Sequence, residues 1–264
     1  MGGRASQLAD YGKTIRAERE EEMQKWRKVM DGRRKDLSIT PELEQKITNS
    51  FAFELVDLLN NAQATSRQIL TVLAFRCTTV AHHFNQVTEV DFEVADRAAA
   101  TCDAERKRTG KKNWTLNDEW DLEKYFPPFF GIPISIKDNI DMKGKRSTMG
   151  VTVRAHDIKE KDSGMVACVR AAGMIPFVRS NVAQMTMSAE SYNLLYGRSL
   201  NVWNVDRNIG GSSGGEGGLI SAFCSPIGIG SDIGGSLRIP ADFNGICSLK
   251  PSFERFSIST TYST

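Results

Sequence analysis

Three stretches of the chain hold residue types able to do nucleophilic chemistry. One is the apolar run Ile132-Pro133-Ile134-Ser135-Ile136, which ends in Lys137. The others carry serines among glycines: Gly210-Gly211-Ser212-Ser213-Gly214-Gly215-Glu216-Gly217-Gly218 and Gly230-Ser231-Asp232-Ile233-Gly234-Gly235-Ser236. Of 22 glycines, 11 fall between Gly210 and Gly245, where an even spread over those 36 residues would place three. Glycine permits close backbone approach at a cost in chain entropy, so this density implies that the backbone itself shapes a site. A phosphate loop would need a lysine directly after the glycines, and none follows before Lys250. A dinucleotide fingerprint beginning at Gly228 meets Ile233 where its last glycine belongs. The hydrolase elbow GxSxG fits Gly211 to Gly215 around Ser213, but that fold needs a histidine after the serine, and His82, His83 and His156 all precede it.

A serine nucleophile activated by something other than histidine survives these tests. A lysine can take the proton if it is held neutral, and burial favours the neutral form. Lys137 fits, because it closes a buried-strand pattern and strand alternation turns Asp138 to the opposite face. A solvated charge at a strand end is the plainer reading of the same lysine.

Gly-Ile-Pro-Ile-Ser-Ile-Lys137-Asp-Asn, the two glycine segments and Arg238-Ile239-Pro240-Ala241 together resemble the amidase signature family. Lys137 lies 75 residues before Ser212, and Ser212 lies 24 before Ser236, which is similar to the family spacing. The resemblance runs in order from about Phe130 to Pro251. Glu216, and Gly173-Met-Ile-Pro-Phe-Val178 followed by Asn181-Val182-Ala183-Gln184, resemble the fatty acid amide hydrolase and fungal acetamidase branch more than the glutamyl-tRNA amidotransferase subunit. The resemblance implies Ser236 as acylating nucleophile, Ser212 as bridging serine and Lys137 as base. It also implies an oxyanion hole from the N–H groups of Ile233, Gly234, Gly235 and Ser236. Ser213 and Ser231 are read as loop supports. Asp232 and Arg238 are either supports of the site or a local salt bridge, with equal weight. Met185 and Met187 are candidates for the acyl pocket, with plain core as the competing reading. Ile209, Ser248 and Glu254 depart from the family pattern at loop and packing positions, and family members continue well beyond Pro251 whereas this chain stops at Thr264.

The elements that must position these residues follow from periodicity. Residues 1 to 36 carry ten Lys/Arg and seven Asp/Glu with sparse anchors at Ile15, Met23, Trp26, Val29 and Met30. They read as a helix lying across the domain surface, with a membrane- or partner-touching basic helix as the rival reading. Thr40-Pro41-Glu42 opens a helix carrying Leu43, Ile47, Phe51, Leu55 and Leu58 at helical spacing. Thr65 with Gln68 is a capping box for the next, with His82 and His83 as cap residues at its far end. Val94 to Arg108 is closed by Gly110, and a polar loop runs to Pro127-Pro128. From about residue 130 strands alternate with helices: Ile132 to Ile136, Ser163 to Ala172, Met174 to Val178, Glu216 to Phe223 and Pro226 to Ile229. The expected fold is α/β, a mixed central sheet covered by helices and incomplete at the C-terminus. Residues 37–125 are its helical part and 126–264 its catalytic core.

Composition sets limits. The formal charge is +2, with 34 Lys/Arg against 32 Asp/Glu, which argues against nucleic acid as a partner. Five separated cysteines give no disulfide framework and point to a reducing, cytoplasmic compartment. No apolar stretch reaches the ~18 residues of a membrane span, and the first thirty residues lack the pattern of a secretory signal. No zinc-ligand pattern is present. The expected function is a serine amidohydrolase that needs no metal or organic cofactor and acts on an amide with a hydrophobic acyl chain, peripheral membrane contact and self-association being further expectations. A catalytically silent homologue and an amidotransferase subunit are the rivals.

Overall fold

The computed structural model describes residues 2–253 together with 255 and 256; Glu254 and the tail to Thr264 lie outside the described residues. Helix α1 (Gly2–Asp36) puts Ile15, Met23 and Met30 on one stripe, and all three are buried. The stripe is taken up by the domain: Trp26 meets Phe92 edge-on at 5.6 Å between ring centroids, and Glu20 bonds His82 at 2.6 Å. His82 therefore joins α1 to the body of the protein, beyond its expected role as a helix cap. Arg33, Arg34 and Lys35 occupy the last turn, where the helix dipole favours cations.

The single helix expected from Leu43 to Leu58 is two. In α2 (Pro41–Thr48), Thr40 Oγ1 accepts from the Leu43 N–H at 3.2 Å; the helix ends at Asn49. Then α3 (Ala52–Asn60) restarts with the Phe51 N–H donating to Glu54 Oε2 at 2.7 Å. Phe51 sits at this break, exposed and stacked on Phe53, instead of inward. The local capping groups outweigh the periodicity there. In α4 (Ser66–Arg76) the expected capping box forms in both directions, at 3.1 and 3.0 Å. Ile69, Val72 and Leu73 point inward, and the helix runs into a π-helical turn, Cys77–Ala81.

Strand β1 (Val87–Val90) was not expected: four residues, VTEV, carry too little pattern. Helix α5 (Phe92–Thr109) ends at Gly110 with φ +67°, a conformation glycine adopts without a Cβ penalty. Strand β2 (Pro133–Lys137) is buried throughout. Helix α6 (Gly164–Ala171), capped by Ser163 and followed by Gly173 at φ +73°, leads to β3 (Ile175–Ser180), also buried throughout. Runs buried on both faces are what a parallel sheet under helices requires. After the short ribbon β4 (Tyr192–Asn193) and β5 (Gly197–Arg198) come α7 (Gly214–Ser221), β6 (Gly228–Ile229) and α8 (Arg238–Asn244).

The main sheet has the order β1-β3-β2-β6, with β1 antiparallel to β3 and the other pairs parallel, the mixed α/β architecture anticipated from the sequence. Ile134, Ile136, Ile140 and Met142 pack with Val166 and Val169 of α6. The larger core joins α1, α3, α4 and α5 to Phe177 and Leu219. Each such aliphatic or aromatic side chain contributes about 1.5–3 kcal/mol by leaving water. Among the described residues no helix is long and apolar enough to cross a membrane.

Candidate active site

Lys137 ends β2 with its side chain wholly buried. Its Nζ lies 2.9 Å from Ser212 Oγ, 2.9 Å from Ser231 Oγ and 3.3 Å from the Ser231 carbonyl oxygen. Burial lowers the amine from its ordinary 10.5 to about 7, against the pull of Glu216 and Asp232, which favour the charged form. A neutral amine has two N–H groups and one lone pair. The two oxygens of Ser231 can accept the N–H groups, which leaves the lone pair for the Ser212 hydroxyl. Asp138 is turned away, its carboxylate accepting from Thr148 Oγ1 and the Met149 N–H, both at 2.8 Å. Alternation along β2 thus keeps the neighbouring carboxylate off the lysine, as the sequence pattern required.

Ser212 and Ser213 immediately precede α7. The Gly211–Ser212 peptide is cis. The glycines around them have a reason that the sequence did not disclose. A Cβ on Gly211 would lie 2.5 Å from the Ser188 carbonyl oxygen and 2.7 Å from Glu190 N, and one on Gly215 would lie 2.5 Å from the Asn181 carbonyl oxygen. This backbone is therefore pressed against the chain's own 181–190 segment, not left open for a ligand. Ser191 fastens the two together: its Oγ accepts from the Gly214 N–H at 2.8 Å and donates to the Gly210 carbonyl at 3.0 Å. Ile209 is fully buried beside this run.

Ser236 reaches the cluster through its main chain, its carbonyl accepting from the Ser213 N–H at 3.1 Å. Ser213 Oγ in turn donates to the Ser231 carbonyl at 3.2 Å. The turn before Ser236 is organised by Asp232, which accepts from the N–H groups of Gly235, Leu237 and Arg238 at 2.6, 3.1 and 3.4 Å. The Arg238 guanidinium adds two bonds of 3.0 Å to the same carboxylate. Burial alone would raise this carboxyl, but Arg238 and the three N–H groups outweigh it and hold Asp232 well below the usual carboxylate range. Asp232 and Arg238 thus form a local salt bridge that also clamps the turn. Of the four N–H groups assigned to the oxyanion hole, that of Gly235 is given to Asp232; Ile233 and Gly234 are exposed.

Met185 and Met187 are 57% and 80% exposed, so they are not core. Their loop adjoins the serines through the Ala183 N–H, which donates to the Ser212 carbonyl at 3.3 Å. Ser231 does more than support a loop, and Asn139 was missed. Ser231 is a direct partner of Lys137, and Asn139 Nδ2 donates to Ser231 Oγ at 3.1 Å. Asn139 stands two residues after Lys137, a spacing that could have marked it.

The family model described as Amidase matches residues 68–263. Human (Homo sapiens) fatty-acid amide hydrolase 2 is 35% identical over 199 residues, covering 75% of this chain and 36% of that protein. A solved fatty acid amide hydrolase superposes with a TM-score of 0.67 at 30% identity, over 80% of this chain and 35% of that one. A solved amidase gives 0.70 at 26% identity, over 81% and 46%. This chain thus spans little more than a third of its human relative's length. With the family pattern matched from residue 68 to residue 263 and the same fold in these structures, the chain belongs to the amidase family.

Proposed function

We propose that the chain carries the catalytic serines and lysine of a serine amide hydrolase. The observation that carries this reading is Lys137 Nζ at 2.9 Å from Ser212 Oγ, in a buried setting that brings the amine to about 7. Neutral Lys137 takes the Ser212 proton while Ser212 takes that of Ser236, and the freed Ser236 Oγ bonds to the amide carbon. The carbonyl electron pair moves onto oxygen, where the N–H groups of Ile233, Gly234 and Ser236 stabilise it. The proton then returns through Ser212 to the amide nitrogen, the C–N bond breaks and the amine leaves. Water cleaves the resulting ester by the same relay, restoring Ser236.

A hydrophobic acyl group is the substrate class this reading favours. Its support is the human relative's name together with the exposed apolar side chains of Met185, Met187 and Ile233 near the serines. Labelling the folded chain with an alkyl fluorophosphonate, followed by mass-spectrometric location of the adduct, tests the assignment. The expected adduct is on Ser236. Label elsewhere overturns Ser236 as the nucleophile, and a folded preparation that takes no label leaves a binding homologue as the better reading.

A further inference from the structure

Helix α7 drives a second ionisable side chain into the space around Lys137. Glu216, the third residue of α7, is 3% exposed, and its Oε2 accepts from Ser135 Oγ at 2.5 Å. Ser135 and Lys137 are two residues apart on β2 and so share a face. The register sets Lys137 beside Ser180 of β3, and Ser135 beside Gly228 of β6. A Cβ on Gly228 would overlap Glu216 Oε2 and lie 2.6 Å from Ser135 Oγ, so one of these groups would have to move. The sheet is therefore built with a gap for this carboxyl.

The groups that face the pair come from every element around it. Lys137 on β2, Arg179 on β3 and Cys77 on the π-helical turn feel Glu216, and Asp232 beyond β6 acts on Lys137. Burial pushes the Glu216 carboxyl up to about 7, opposed by the hydroxyls of Ser135 and Ser180 and by the charges of Lys137 and Arg179. Burial brings the Lys137 amine down to the same region. Each ionised form favours the other, so the two titrate as a linked pair.

We propose that Glu216 is a positioning residue for Lys137: held by Ser135 beneath α7, its carboxyl sets how readily Lys137 gives up its proton, and Lys137 sets the ionisation of Glu216 in return. Its bearing on catalysis rests on Lys137 being the base; the linkage itself does not. The test is a side-chain NMR titration of the full chain, following the Lys137 Cε and Glu216 carboxyl carbons. In Glu216→Gln the Lys137 midpoint should fall by on the order of one pH unit, since the anionic partner is gone. In Lys137→Met the Glu216 midpoint should rise by a similar amount, and this arm reads the linkage should the glutamine variant fail to fold. An unmoved midpoint in either folded variant overturns the proposal. Fluorophosphonate labelling of the wild-type chain separates the two readings. Shifted midpoints without label on Ser236 would refute the catalytic assignment and leave the linkage standing.

Discussion

Replacing Lys137 by methionine should change how stability depends on pH, because a buried amine binds protons less readily than the same amine in the unfolded chain. The folded value is about 7 and the ordinary one 10.5. Between these limits the unfolded state binds more protons, so native stability rises with pH. At about 1.4 kcal/mol per pH unit, the 3.5 units between the two values amount to about 5 kcal/mol. The penalty is in full force below about pH 7 and is gone above about pH 10.5. Glu216 acts with the opposite sign: raised from 4.5 to about 7, its protonated form contributes stability below pH 4.5 that is lost as pH rises through about 7, about 3 kcal/mol over the interval. Together these two groups give the wild type a stability minimum near neutrality. In Lys137→Met the rising limb disappears. The lost hydrogen bonds to Ser212 and Ser231 add an offset that does not vary with pH, so the slope carries the test. Urea unfolding followed by circular dichroism, from about pH 5 to about pH 10, would measure it for both proteins. A difference in unfolding free energy that stays constant from neutral to alkaline pH would refute the account of Lys137 as a buried, largely neutral amine.

Ser212→Ala should slow acylation of Ser236 by about 10²- to 10⁴-fold, the range for loss of a positioned proton carrier, with the fold kept; an unchanged labelling time course would remove Ser212 from the relay. Gly228→Ala should lower stability by about 1–3 kcal/mol, since the new Cβ must displace Glu216 or Ser135, and thermal melting at the wild-type temperature would show that the carboxyl has room. Asp232→Ala leaves the N–H groups of Gly235, Leu237 and Arg238 without their acceptor and should cost about 1–3 kcal/mol. Arg238→Ala, at a side chain 58% exposed, should cost at most about 1 kcal/mol; equal losses in denaturant unfolding would mean that the ion pair, not the backbone bonds, holds the turn.

What could be read in advance was what depends on near neighbours in the chain. Thr65 and Gln68 form their box within one turn, and Gly110 and Gly173 end helices by their own φ angles. Lys137 was legible because five preceding residues declare a buried strand. The break at Phe51 was hidden because its apolar side chain fits the helical period, while the Glu54 carboxylate that restarts the helix is a local competitor that hydrophobic spacing does not register. Strand β1 is held by β3, about 90 residues away, and nothing in VTEV announces it. Likewise Ser231 meets Lys137 across 94 positions. The glycine run stands out in the sequence, but part of its purpose is to admit the 181–190 backbone, a contact visible only once the fold is assembled.

Strand β1 has a consequence for how copies of this protein meet. A sheet edge with unpaired carbonyls is a template on which another chain can add a strand. Here the Val87 carbonyl accepts from Arg19 of α1 at 3.0 Å, and the Val90 carbonyl accepts from Lys145 at 2.7 Å. The carbonyls of Val87 and Val90 are thus already engaged, and each by a cation. An approaching second edge of the same kind would find its acceptors taken and would bring like charges together. Arg19 of helix α1 and Lys145 thus cover this edge against the addition of another strand.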